Sequence, residues 1–178
     1  MIYLETFIFP DENMEYRFIL DEKRSCYDSF YPFMILSKNR FERIDFEPIT
    51  ILYGGNGSGK STALNVIAEK LCINRDSVFN KSNFYSDYVN LCDMYIDAEI
   101  PENSLSPKRQ IELIKYIEDC ARFLNCQFII STHSPFMLGM KGAKIYDLDD
   151  DPVDVKKWTE LENVRTYYEF FKEREDEF

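Results

Sequence analysis

Tyr53-Gly54-Gly55-Asn56-Gly57-Ser58-Gly59-Lys60-Ser61-Thr62 fits the pattern G-x-x-x-x-G-K-[ST], with Gly54, Gly59, Lys60 and Ser61 at its fixed positions. Upstream, Ile49-Thr50-Ile51-Leu52-Tyr53 is a short apolar, β-branched run, which predicts a buried parallel strand. Downstream, Leu64, Ile67, Ala68 and Leu71 recur at helical spacing, so a helix begins inside the motif. This strand, glycine loop and helix form a phosphate cradle in principle. Glycines let the backbone curl until successive N–H groups point at one anion, and the helix adds its unpaired N–H groups and positive dipole end. Lys60 is placed to reach β- and γ-phosphates, and the Ser61 hydroxyl to ligate Mg²⁺. The phosphate-binding set is Gly54, Gly55, Asn56, Gly57, Ser58, Gly59, Lys60, Ser61 and Thr62. Four of the six glycines in the chain lie in this loop, which sets it apart from an ordinary turn.

With 178 residues, one domain with a real core is expected. Apolar content of 45% and charged content of 30% fit a soluble globular protein. A net charge of −11 argues against broad electrostatic binding of nucleic acid or anionic membrane, while leaving room for a local basic patch. The five cysteines (Cys26, Cys72, Cys92, Cys120, Cys126) are odd in number and lack C-x-x-C spacing, which reads as reduced thiols. No secretory pattern opens the chain and no apolar run approaches a membrane span, so the expectation is cytoplasmic.

Around the loop, strands are predicted at residues 1–9, 16–20 and 33–36, with moderate alternation at 41–46, giving a β-rich lead-in over residues 1–48. Tyr27, Phe30, Tyr31 and Phe33 are candidates for stacking on adenine, although most aromatics in such a segment are core. Residues 49–72 hold the strand, loop and helix, and residues 73–104 form an atypical middle. There, residues 91–97 read as a strand ending in a carboxylate, Asp97. In residues 105–150, Pro107 opens a helix, with Ser106 before it and Ile111, Ile114, Ile117, Ala121 and Leu124 as its apolar stripe. Residues 126–130 are a buried strand running into Ser131-Thr132-His133-Ser134-Pro135, followed by a short helix at 136–140 and a strand at 143–148. Residues 149–152 are an acidic turn, and residues 151–178 carry a last helix from about Glu160 with a charged, frayed end.

Leu105-Ser106-Pro107, a long helix and then Phe128-Ile129-Ile130-Ser131-Thr132-His133-Ser134-Pro135 resemble the second half of an ABC-type ATPase head, closest to small bacterial ATPases of the SMC and RecF group. The resemblance covers residues 44–72 and 101–148. It implies an α/β P-loop NTPase fold: a mostly parallel central sheet flanked by helices, with an N-terminal antiparallel β-rich subdomain. It also implies ATP and ADP as ligands, Mg²⁺, cleavage at the γ-phosphate by water, and a homodimer with ATP between its heads. His133, the only histidine, takes the place of the family's γ-phosphate switch.

The departures are as specific as the match. No glycine lies between Gly59 and Gly139, so the family's glycine-containing signature is absent, and Gln110 and Gln127 both fall beyond the place of its Q-loop glutamine. The family's acidic stretch reads D-E-P-E-x-x-L-S-P. Counted back from Leu105-Ser106-Pro107, the magnesium carboxylate becomes Glu99 and the catalytic glutamate Ile100; counted from the apolar run, they become Asp97 and Ala98. Each register leaves a metal-side carboxylate, Asp97 or Glu99, and neither supplies the catalytic glutamate. The abrupt junction around residues 97–107 suggests a chain that was once longer here. Two other functions fit the loop: a non-hydrolysing, nucleotide-gated module for an unknown protein partner, and a small P-loop kinase. A kinase lid of clustered arginines has no counterpart in the isolated Arg75, Arg109, Arg122 and Arg165.

Overall fold

In a computed structural model, residues 2–26, 29–73, 81–96 and 107–177 are described. They build an α/β protein with two sheets, one antiparallel and one mostly parallel. The parallel sheet is centred on β3 (Ile49–Tyr53), buried at every position. It pairs in parallel with β5 (Phe128–Ser131) on one side and β6 (Ala143–Asp147) on the other. A short β7 (Asp154–Lys156) adds antiparallel to β6, giving the order β5-β3-β6-β7. The other sheet has β1 (Leu4–Ile8) at its centre, between β2 (Arg43–Asp45) and β4 (Asp93–Ile96), all antiparallel.

Alternation along β3 divides the core. Leu52 faces a cluster shared with the antiparallel sheet, with α2 (Lys60–Lys70) and with α3 (Tyr85–Leu91). Ile49, Ile51 and Tyr53 face a second cluster with α4 (Pro107–Phe123), α5 (Pro135–Leu138) and α6 (Glu162–Lys172). The period-2 geometry of a strand buried on both faces requires this split. The sheets are joined by side chains that act as backbone. The Gln127 amide accepts from Leu4 N at 2.8 Å and Tyr3 N at 3.0 Å, and donates to Leu4 O at 2.9 Å. The Tyr146 hydroxyl bridges Asp45, accepting from its N–H at 3.0 Å and donating to its carbonyl at 3.1 Å. Trp158 opens the 3-10 turn after β7, and its ring lies where a Cβ on Gly139 would touch it at 4.0 Å.

The lead-in departs from the sequence reading. Residues 16–20 are not a strand but part of α1 (Glu12–Asp21). The Asp11 carboxylate caps this helix, accepting from Met14 N at 2.7 Å, and Glu12 and Glu15 sit in its first turn where the dipole favours them. Glu15, Phe18 and Ile19 recur at i, i+3, i+4 on the buried side, a period that reading residues 16–20 by themselves concealed. Residues 33–36 are a turn rather than a strand, leading into a 3-10 helix at Ser37–Asn39. The expected strand at 91–97 forms, as β4, but in the antiparallel sheet rather than beside β3. Of the expected stripe, Ile117 on α4 is buried while Ile111 and Leu124, the latter just past the helix, are exposed, so only its middle meets the core. Beyond α6, a 3-10 turn spans Glu175–Glu177. Among the described residues no helix is long and apolar enough to cross a membrane.

Candidate functional site

Three strands, β3, β5 and β6, run parallel and end on the same edge, where an open α/β sheet gathers its ligand groups. From β3 the chain enters the glycine loop. Gly54 turns at φ 145°, and a Cβ there would stand 2.6 Å from Ser58 Oγ. Ser58 N–H donates to Gly55 O at 3.3 Å, tightening the curl, and residues 55–57 lie open to solvent at its tip. Gly59 then caps α2 at φ 95° without a side-chain hydrogen bond. The N–H groups of Lys60, Ser61 and Thr62 therefore have no intrahelical acceptor and face outward at the positive end of the dipole. A Cβ at Gly59 would meet Leu36 Cδ2 at 2.8 Å, so residues 35–36 press directly on the loop.

Lys60 is buried, and its ammonium folds back over the loop, donating to Gly54 O at 2.7 Å, Gly55 O at 2.6 Å and Ser58 Oγ at 3.3 Å. Burial pulls its pKa below the ordinary lysine value, and the charge of Asp149 partly restores it. Thr62 is buried as well, and its hydroxyl accepts from the Tyr31 phenol at 3.2 Å. Of the aromatics considered for adenine, Tyr31 thus touches the loop's helix, Phe33 is in the core, and Phe30 stacks on Phe84 at 4.4 Å. Tyr27 lies outside the described residues.

His133 follows β5, the neighbour of β3, and its ring stands edge-on to Tyr53 at 6.3 Å between centroids. Its carbonyl accepts from Asn163 Nδ2 at 3.0 Å, and Asn163 N–H donates to the Tyr53 hydroxyl at 3.4 Å, so the start of α6 braces the histidine turn. Partial desolvation lowers the pKa of His133 below the ordinary histidine value. The nearby Lys60 charge lowers it further, while Asp149 opposes both. A neutral imidazole beside an ammonium and a row of N–H groups can meet a terminal phosphate by hydrogen bonding.

The carboxylate that the structure brings to this edge is Asp149, which the sequence reading left in an acidic turn. Its Oδ2 accepts from Gly55 N–H at 2.5 Å. The strand-end rule, applied to the predicted strand at 143–148 as it was to the one before His133, would have found it. Asp97 and Glu99, the expected metal-side residues, lie outside the described residues, as does the junction around 97–106. The strand before them ends opposite Leu4, whose peptide is held by Gln127 at the start of β5, the opposite edge from the loop. Ser61 is exposed at the first turn of α2, with its hydroxyl available to a cation arriving with phosphate. Among the described residues no group of three His, Cys, Asp or Glu side chains stands ready to hold a metal alone. That is compatible with Mg²⁺, which takes most of its ligands from phosphate and water. Comparisons of this chain with protein-family models, with curated proteins and with solved structures each return no match.

Proposed function

We propose that the chain is an ATP-binding protein with a P-loop NTPase fold of the ABC-head type, which takes the triphosphate on the loop from Gly54 to Thr62. The observation that carries this reading is the meeting of three things on one sheet edge. These are a buried Lys60 held over the glycine loop, the unpaired N–H groups of the first turn of α2, and His133 at the end of the adjacent strand. In this reading Lys60 and the N–H groups of Lys60, Ser61 and Thr62 hold the phosphates. Ser61 ligates Mg²⁺, whose role when bound is to neutralise charge on the β- and γ-oxygens. His133 faces the γ-phosphate. Cleavage by water would then rest on positioning and charge neutralisation by Lys60, the loop N–H groups and the cation at Ser61. A homodimer closing over ATP is the corresponding assembly, in a cytoplasmic setting.

A second reading is favoured by Ala98 and Ile100, which stand where a water-activating glutamate is required. The same loop would then gate a partner surface by binding ATP without turning it over. A thermal-shift titration with Mg²⁺-ATP tests the shared claim. Binding at a hundred times Kd stabilises the native state by about 2.7 kcal/mol, and Lys60→Ala is expected to abolish that shift. Equal shifts in wild type and Lys60→Ala would remove the proposal. Phosphate release by the same samples separates turnover from gating.

A further inference from the structure

The position of Asp149 is unusual for a loop that has to attract an anion. Its carboxylate lies flat against the loop backbone: a Cβ at Gly54 would come within 3.2 Å of Oδ1, and one at Gly55 within 3.5 Å of either oxygen. At Gly54 a side chain would crowd the carboxylate, whereas at Gly55 the distance is an ordinary van der Waals contact. The turn that carries Asp149 is anchored. Its own N–H donates to Asp147 Oδ1 at 3.1 Å, and buried Asp147 is held by Lys156 at 3.0 Å. One residue earlier, Leu148 N–H donates to Tyr53 O at 2.9 Å, and Leu148 O accepts from Asn39 Nδ2 at 3.0 Å. The next acids are committed elsewhere, Asp150 to Lys156 at 2.6 Å and Asp151 to Arg40 at 2.9 Å. A negative charge is therefore held against the loop backbone, on its solvent side, by an anchored turn.

We infer that Asp149 is a specificity-determining residue of this site: its fixed carboxylate makes the loop accept a polyphosphate together with its divalent cation and disfavour the bare anion. The inference rests on the nucleotide reading above. Its logic is a charge count. Lys60 and Asp149 offset one another, and what remains to attract a ligand is the end of the α2 dipole, roughly half a positive charge. The repulsion between a fixed carboxylate and a ligand scales with the ligand's charge, and a bound divalent cation removes two units of it. This contribution to the selection against metal-free phosphate is separate from ligation of the metal by Ser61.

The test compares dissociation constants for ATP and for inorganic pyrophosphate, each with excess Mg²⁺ and each with chelator, in wild type, Asp149→Asn and Asp149→Glu. Asparagine retains an acceptor for Gly55 N–H but not the charge. It is expected to tighten metal-free binding and shrink the magnesium dependence by about fivefold. Glutamate keeps the charge and should keep the dependence. An unchanged dependence in Asp149→Asn overturns the inference. So does wild type binding metal-free pyrophosphate as tightly as its magnesium complex, a measurement that needs no variant to fold. If Mg²⁺-ATP fails to bind wild type at all, the nucleotide reading itself falls and takes this inference with it.

Discussion

Gln127 holds Leu4 from both sides of one residue, its Oε1 2.8 Å from Leu4 N and its Nε2 2.9 Å from Leu4 O. The side chain continues the ladder of one sheet into the other, and it is 1% exposed, so water cannot replace it. Gln127→Leu keeps the volume and leaves two buried donors and an acceptor without partners. Each such group costs about 1–3 kcal/mol, and a loss on the order of 3 kcal/mol is expected in urea unfolding, together with faster exchange of the Leu4 amide. A loss below about 1 kcal/mol would mean that the sheets are held together mainly by their apolar faces.

His133 is the only histidine, so its ring signals can be followed through a pH titration by proton NMR. Burial and Lys60 both lower its pKa, and the midpoint is expected below the ordinary histidine value of about 6.5. Lys60→Ala should raise that midpoint, and Asp149→Asn should lower it. The sign for stability follows: a histidine depressed in the folded state favours folding above its unfolded pKa. That contribution is lost as pH falls from about 6.5 toward the folded value. A midpoint unmoved by Lys60→Ala would show that the two residues do not share an environment.

Glu15 is fully buried, with Oε2 accepting from Met34 N at 2.7 Å and Ser37 Oγ at 2.6 Å while Oε1 has no partner. Burial raises its pKa above 4.5, and the bonds from Ser37 and Met34 only partly counter this. The folded state therefore holds this proton more tightly. The associated stability is fully present below the unfolded pKa of 4.5 and is lost as pH rises through the folded value. Glu15→Gln keeps both accepted bonds and turns its amide toward the neighbouring Tyr88 hydroxyl. It should match or exceed wild type at pH 7, with the advantage shrinking toward pH 4.5. Glu15→Ala should lose about 2–3 kcal/mol at pH 7. Glu15→Gln as damaging as Glu15→Ala would contradict the account.

At Gly59 two penalties can be separated. Alanine there must adopt φ 95° and place its Cβ 2.8 Å from Leu36 Cδ2. The backbone part costs about 1–2 kcal/mol and persists whatever surrounds it. Adding Leu36→Ala should relieve only the contact part, so the double variant is expected to lose less than the sum of the two single losses. Strict additivity, measured by chemical unfolding, would place the whole cost in the backbone.

The loop, its strand and helix, and the strand leading to His133 could be read from the sequence because each depends on short-range pattern: a run of β-branched residues, a 3.6 period, glycines at fixed offsets. The sheet to which β4 belongs could not, since an apolar run shows that a strand forms and says nothing about its neighbour. Nor could the short run at 16–20 decide between strand and helix; the deciding feature was Asp11, a cap outside the run. Asp149 was hidden for a third reason. The strand-end rule could place it on the ligand edge, but its contact with Gly55, 94 positions away, depends on the pairing of β3 with β6, which no local pattern encodes.

Trp158, the only tryptophan, lies two residues beyond β7, the strand that returns from the Asp149 turn, and it is 44% exposed against Gly139. Indole emission depends on its local solvent, so the chain carries one native fluorophore joined through a short strand to the turn that grips the glycine loop. Any ligand that shifts Asp149 pulls on β7, and the wavelength and intensity of that single emitter are placed to register the event in real time, without a dye or label.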